Sequence, residues 1–195
     1  MKKTILLIIL SVCGTYSFGQ IIKHKLYTTY YNQSTHQPDS VVWDLTPSML
    51  MCQGHLKRLN EFKADPDVPF TNLNKDYKKS GYDQGHQMPA QDNSCDPVGE
   101  LECFYFSNMV PQRPALNRDT WKNLETYCRK LAMRGPVHIV CGVSGSLGKI
   151  GPDKVNIPVI CWKKLTYSGH TEYYSMPNHD TVKLHPFQYY LVKKS

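Results

Sequence analysis

No two cysteines of this 195-residue chain stand at the C-x-x-C spacing of a structural zinc site, so a zinc-knuckle fold is the weaker reading of its seven cysteines. No G-x-S-x-G turn presents a serine nucleophile, and Ser107 has no motif around it, which makes Ser/His/Asp hydrolysis a poor fit. No Gly-rich P-loop is present to cradle a nucleotide triphosphate. Nothing repeats internally and no low-complexity linker cuts the chain, which points to one domain. The apolar run Thr4–Val12 is too short to span a bilayer, so no membrane span is expected.

What is present is an ordinary globular composition, 41% hydrophobic and 20% charged, with a formal charge of +7. Such a charge favours a polyanionic partner without demanding one. Lys2-Lys3, the short apolar core and small residues such as Ser17 and Gly19 read as a signal peptide over residues 1–19. The mature domain is then residues 20–195, secreted or periplasmic, and loss of Lys2 and Lys3 takes the charge from +7 to +5. Six cysteines remain, an even number that suggests disulfides in an oxidising compartment, with the pairing left open. Cys95 and Cys103 flank the polar stretch Gln91–Glu102, and a bridge between them would close a short surface loop.

Tyr27–Asn32 and Val41–Leu45 read as strands about a polar turn. Gly85, inside an extended run, marks a bulge or a close backbone approach. Phe104–Met109 is a strand by composition. Asn117 to about Met133 is the best helix, because Trp121, Leu124, Cys128 and Leu131 share one face and Gly135-Pro136 stops it. Val137–Val143 is a near-continuous apolar strand suited to a central position. Ile157–Leu165 and Thr171–Ser175 follow, turning at Ser168-Gly169. The fold class is therefore α+β, with a central, mostly antiparallel sheet flanked by helices and long loops.

The chemistry concentrates in Gly81–Arg129. A histidine in an extended run, His86, is a base near neutral pH, although a lone histidine is more often structural. Asn117 at a helix start is by itself an ordinary N-cap; turned outward, its amide oxygen suits a hard cation such as magnesium. Glu125 lies a little over two turns further and is either a holder of metal-bound water or a plain helix glutamate paired with Arg129. Arg118, Lys122 and Arg129 make a cationic strip on the same helix. A base, one divalent cation and arginines together make sense for phosphodiester hydrolysis.

Three ordered motifs carry a resemblance to a known family. Asp83, Gly85, His86, Pro89 and Ala90 come first, then Phe104–Met109 with Pro111-Gln112, then Asn117-Arg118 with Trp121, Leu124 and Glu125. The chain thereby resembles the DNA/RNA non-specific endonucleases, whose core is a ββα-metal unit. The resemblance implies cleavage of DNA and RNA with little sequence preference, 5′-phosphate ends, magnesium (or manganese in its place) and no small-molecule cofactor. It makes His86 the general base, Asn117 the sole direct metal ligand and Glu125 the holder of the metal's water shell. It sets Arg58, Arg129 and Asn108 near the scissile phosphate, and Gln84, Arg118 and Asp83 in contact with substrate. Gln84 stands where the family's usual arginine would be, and it carries no charge. The alternative expectation is a basic nucleic-acid-binding protein on the same scaffold, disabled at Gln84.

Overall fold

Period-two alternation of apolar residues builds the main sheet of the computed structural model, which describes residues 19–52 and 54–195. In chain order the strands are β1 (Gln20–Lys23), β2 (Thr28–Asn32), β3 (Gln37–Leu45), β4 (Asp83–His86), β5 (Met109–Gln112), β6 (Val137–Ser144), β7 (Lys149–Ile150), β8 (Val155–Asn156), β9 (Ile160–Tyr167), β10 (His170–Pro177) and β11 (Leu191–Lys194). The helices are α1 (Pro47–Leu50), α2 (Asn74–Tyr77), α3 (Pro97–Glu102) and α4 (Lys122–Ala132), the last entered through a π-helical turn, Leu116–Trp121. The leader expected over residues 1–19 lies, Gly19 apart, outside the described residues. No helix among the described residues is long and apolar enough to cross a membrane.

Seven strands form one antiparallel sheet in the order β1-β2-β3-β6-β9-β10-β11, with β6 in the middle as its apolar run predicts. Val41, Trp43 and Leu45 of β3, Val137, Ile139 and Cys141 of β6, and Cys161 and Leu165 of β9 turn into one core. Helix α4 packs Leu124, Cys128 and Ala132 into that core, the face its spacing defines. Burial of each such aliphatic side chain contributes roughly 1.5–3 kcal/mol. The sheet and helix are thus a rigid floor, and the α+β expectation holds.

The hairpin of β4 and β5 stands apart as its own two-stranded sheet, with Asp83 opposite Gln112 and His86 opposite Met109. A Cβ at Gly85 would lie 2.4 Å from the Gln112 side chain, so the close approach read at that glycine is present. Hairpin, π turn and α4 make a ββα unit laid against the floor.

Three expectations change. The strand read at Phe104–Met109 begins only at Met109, because Phe106–Asn108 form a 3-10 turn and Phe104 and Phe106 are buried as packing residues. The stretch Gln91–Glu102 is no surface excursion: it holds α3, capped by the Asp96 carboxylate on Val98 N and Gly99 N, and Asp92, Asn93 and Glu100 are buried. Cys95 pairs with Cys52 across 43 positions, not with Cys103. Cys103 is a buried thiol that donates to the Glu100 carbonyl. Cys128, Cys141 and Cys161 are buried free thiols too, each pushed up to about 12 by burial, which leaves them inert.

Candidate active site

A cleft of about 380 Å³ opens where β4, the π turn and the first turn of α4 meet, and His86, Asn117, Arg118, Glu125, Gln84 and Arg58 all reach it. β4 delivers Asp83 two residues before, and His86 one residue after, the glycine that lets β5 approach. The π turn adds a residue to one helical turn, a feature frequent at functional sites, and it carries Asn117 and Arg118.

His86 is buried, with its ring perpendicular to Phe104 at 5.1 Å and tilted against Phe62 at 5.6 Å. Trp121 Nε1 donates to its backbone carbonyl at 3.4 Å, which ties β4 to the helix. Burial, with the Arg58 guanidinium adding to it, pushes the imidazole down to about 3, so it is neutral at physiological pH. Its Nε2 is buried without a hydrogen-bond partner among the described residues. With Nε2 closed off from solvent, Nδ1 is the ring nitrogen left to face the cleft as a proton acceptor.

Asn117 is not an N-cap. Its Nδ2 donates to Asp83 Oδ2 at 3.0 Å, which leaves the amide oxygen for the cleft. Arg118 meets the same carboxylate two-pronged, Nε to Oδ2 at 2.8 Å and Nη2 to Oδ1 at 2.6 Å. Burial pulls the Asp83 carboxyl upward, but Arg118 and Asn117 outweigh it and hold the group below the ordinary carboxylate value. Asp83 also lines the cleft, and its two oxygens hold Asn117 and Arg118 in place there. Gln84 donates to Asn74 Oδ1 at 3.2 Å on the cleft's edge.

Glu125 does not pair with Arg129. Burial pushes its carboxyl up to about 7, against the pull of Lys163 and Arg129, while Asp92 adds to the rise. Arg129 Nη1 instead donates to buried Asp92 at 3.2 Å, beside Trp43 Nε1 at 3.3 Å on the other oxygen. Arg129 borders the neighbouring cavity, not the cleft. Asn108 also lies elsewhere: fully buried, it accepts from Met88 N and donates to the Met88 and Cys103 carbonyls, each at 2.9 Å. It braces the chain just after His86, and its amide has no reach to a phosphate. Ser107 donates to Asp65, which His24 also contacts, so the carboxylate sits between hydroxyl and imidazole and no serine-histidine pair exists there.

Two residues of the site escaped the sequence reading. Lys163 is fully buried, with its ammonium 4.5 Å from the Trp121 ring centre and 5.3 Å from that of Trp43, and its charge acts on Glu125. Asp92 closes the buried network. The signal for Lys163 was alternation: it shares a strand face with Cys161 and Leu165.

The sequence description of the DNA/RNA non-specific endonucleases matches residues 9–194. The chain belongs to that family. Within this family of metal-dependent nucleases, it is 38% identical over 141 residues to a nuclease of Nostoc sp., a match covering 70% of this chain and 50% of that protein. It is 35% identical over 159 residues to the mitochondrial nuclease EXOG of Danio rerio, covering 71% and 46%. The chain thus spans about half the length of these curated relatives. A crystal structure of the EndoG/EndoGI complex, at 27% identity, superposes with a TM-score of 0.81 over 89% of this chain and 80% of that one.

In this endonuclease-family site, His86 and Glu125 impose opposite pH dependences on folding. Between about 4.5 and 6.5 the unfolded chain protonates a histidine that the folded state keeps neutral, so stability falls as pH falls. Over the same window the folded state keeps a proton on Glu125 that the unfolded chain releases, so stability falls as pH rises. Each slope is about 1.4 kcal/mol per pH unit, and the two offset. Glu125→Gln is expected to uncover the histidine slope: urea midpoints in EDTA should drop relative to wild type as pH is lowered from 6.5. A variant that tracks wild type across that window would show that Glu125 is ionised in the folded state.

Proposed function

We propose that this chain is an exported, magnesium-dependent, sugar-non-specific endonuclease that hydrolyses phosphodiester bonds of DNA and RNA. One observation carries the reading: a neutral His86 imidazole that bonds to no other side chain shares a cleft with an outward Asn117 amide oxygen and the guanidinium of Arg118.

The residues suit a hard cation. Among the described residues, His, Cys, Asp and Glu ligand atoms gather in threes only at Cys52, His55 and Cys95, where the two sulfurs already form a disulfide. The cleft therefore offers no closed protein cage but an amide oxygen and carboxylates, which matches an ion that keeps most of its waters. Asn117 would hold it and Glu125 its water shell; when bound, it would neutralise phosphate charge and steady the leaving oxygen. The His86 imidazole takes a proton from water, the resulting hydroxide oxygen adds to phosphorus, and the P–O3′ bond breaks with O3′ taking a proton from solvent, to leave a 5′-phosphate and a 3′-hydroxyl. Arg58, Arg118 and Lys122 line the cleft and supply cationic charge for the substrate's phosphates. They keep the cleft cationic although Gln84 brings no charge. Backbone contacts of this kind do not distinguish bases, which fits a nuclease without sequence preference. The Lys2-Lys3 start, the apolar Thr4–Val12 core and the Cys52–Cys95 bridge support export.

Purified protein is expected to degrade both plasmid DNA and RNA in magnesium and to lose that activity in excess EDTA. Folded protein that leaves both substrates intact, or that cuts equally well in EDTA, would overturn the reading.

A further inference from the structure

A second cavity of about 570 Å³ adjoins the cleft and shares Arg58, Ala90 and Gln91 with it. Its volume lies within the range of about 300–1,000 Å³ typical of pockets that bury a small ligand. Its chemistry is divided. Leu50, Leu56 and Met133 offer apolar surface, and Leu56 and Met133 are 38% and 51% exposed, so that surface is open to a ligand. Arg58 and Lys130 add positive charge beside them, while Arg129, also in the lining, is engaged by Asp92. Glu100, the one carboxylate in the lining, is buried and accepts the Leu59 amide at 3.2 Å. Phosphate therefore belongs near the cations, and an uncharged, flat, partly apolar group belongs inside.

A strand whose phosphate lies against His86 and Arg118 must continue past the shared wall at Arg58. The next nucleotide then brings exactly those two parts, a phosphate for the cations and a base for the apolar lining. A paired base cannot use the site, because its faces are stacked and its Watson–Crick edge is occupied; an unpaired base can. We propose that this cavity seats an unpaired nucleobase flanking the bound phosphate, so that the protein takes single-stranded DNA or RNA in preference to duplex. The inference rests on the nuclease reading for where the phosphate lies.

The test is binding rather than turnover. Fluorescence anisotropy would compare three hydrolysis-resistant phosphorothioate probes in magnesium: a single strand, a hairpin duplex of the same sequence, and the single strand with abasic residues. Wild type should bind the intact single strand about tenfold tighter than either of the others. Met133→Glu sets a carboxylate at the mouth of the cavity and should erase the difference; Leu56→Ser should reduce it. Equal binding of intact and abasic strands by wild type, or a preference that survives Met133→Glu, would overturn the proposal. A chain that shows the predicted pattern yet cuts nothing would retire the nuclease reading and leave this one standing.

Discussion

His86→Ala is expected to lower the rate constant for phosphodiester cleavage by roughly three orders of magnitude, within the range a positioned general base supplies. The structure separates this from a stability effect. The side chain forfeits no hydrogen bond at Nε2, because none exists there, so the variant loses only packing against Phe62 and Phe104. Burial already keeps the imidazole neutral, so the folded state gains by losing a group that resists protonation, and the variant should be less acid-sensitive than wild type. Single-turnover cleavage of plasmid at neutral pH, beside a melting curve, checks both halves. A well-folded His86→Ala protein that cuts within threefold of wild type would remove His86 from the mechanism.

How much of this site was legible in the sequence depends on the range of the interaction. The helix that presents Asn117 and Glu125 was legible because Trp121, Leu124 and Cys128 repeat at its period, and all three are buried in the core. The position of β6 was legible for the same local reason. Phe104–Asn108 misled, since aromatic residues favour strands in general but here fill space beneath the hairpin while the backbone turns. The Cys52–Cys95 pair joins segments that only the folded chain brings together, and no local signal selects it over Cys95–Cys103.

Charge pairing was the least legible layer. From sequence, Glu125 and Arg129 at i and i+4 are natural partners, yet Arg129 turns to Asp92. The reason is burial. Asp92 lies under the helix with little water, and a carboxylate there needs a hydrogen-bonded cation more than a half-buried Glu125 does. With Arg129 engaged and Lys163 confined between Trp43 and Trp121, Glu125 is left with nearby charge but no ion-pair partner, and its carboxyl rises to about 7.

Asn117→Ala is expected to cut activity at fixed magnesium by about a thousandfold, because a cation at a phosphate supplies several kcal/mol of charge stabilisation and each 1.36 kcal/mol is tenfold in rate. The diagnostic is the magnesium dependence: the concentration giving half-maximal rate should rise at least about tenfold, whereas His86→Ala should leave it near the wild-type value. Asp83 gives the matching control. Its carboxylate fixes the Asn117 amide through Nδ2 and the Arg118 fork through both oxygens, so Asp83→Ala frees both while leaving the amide oxygen in place. A loss of about 10–100-fold, with a smaller shift in the magnesium requirement than Asn117→Ala, is the signature of a residue that aims a ligand. An Asn117→Ala protein with unaltered magnesium dependence would mean that the cation is held elsewhere in the cleft, and Asp83 and Glu125 would then be the carboxylates to test as ligands.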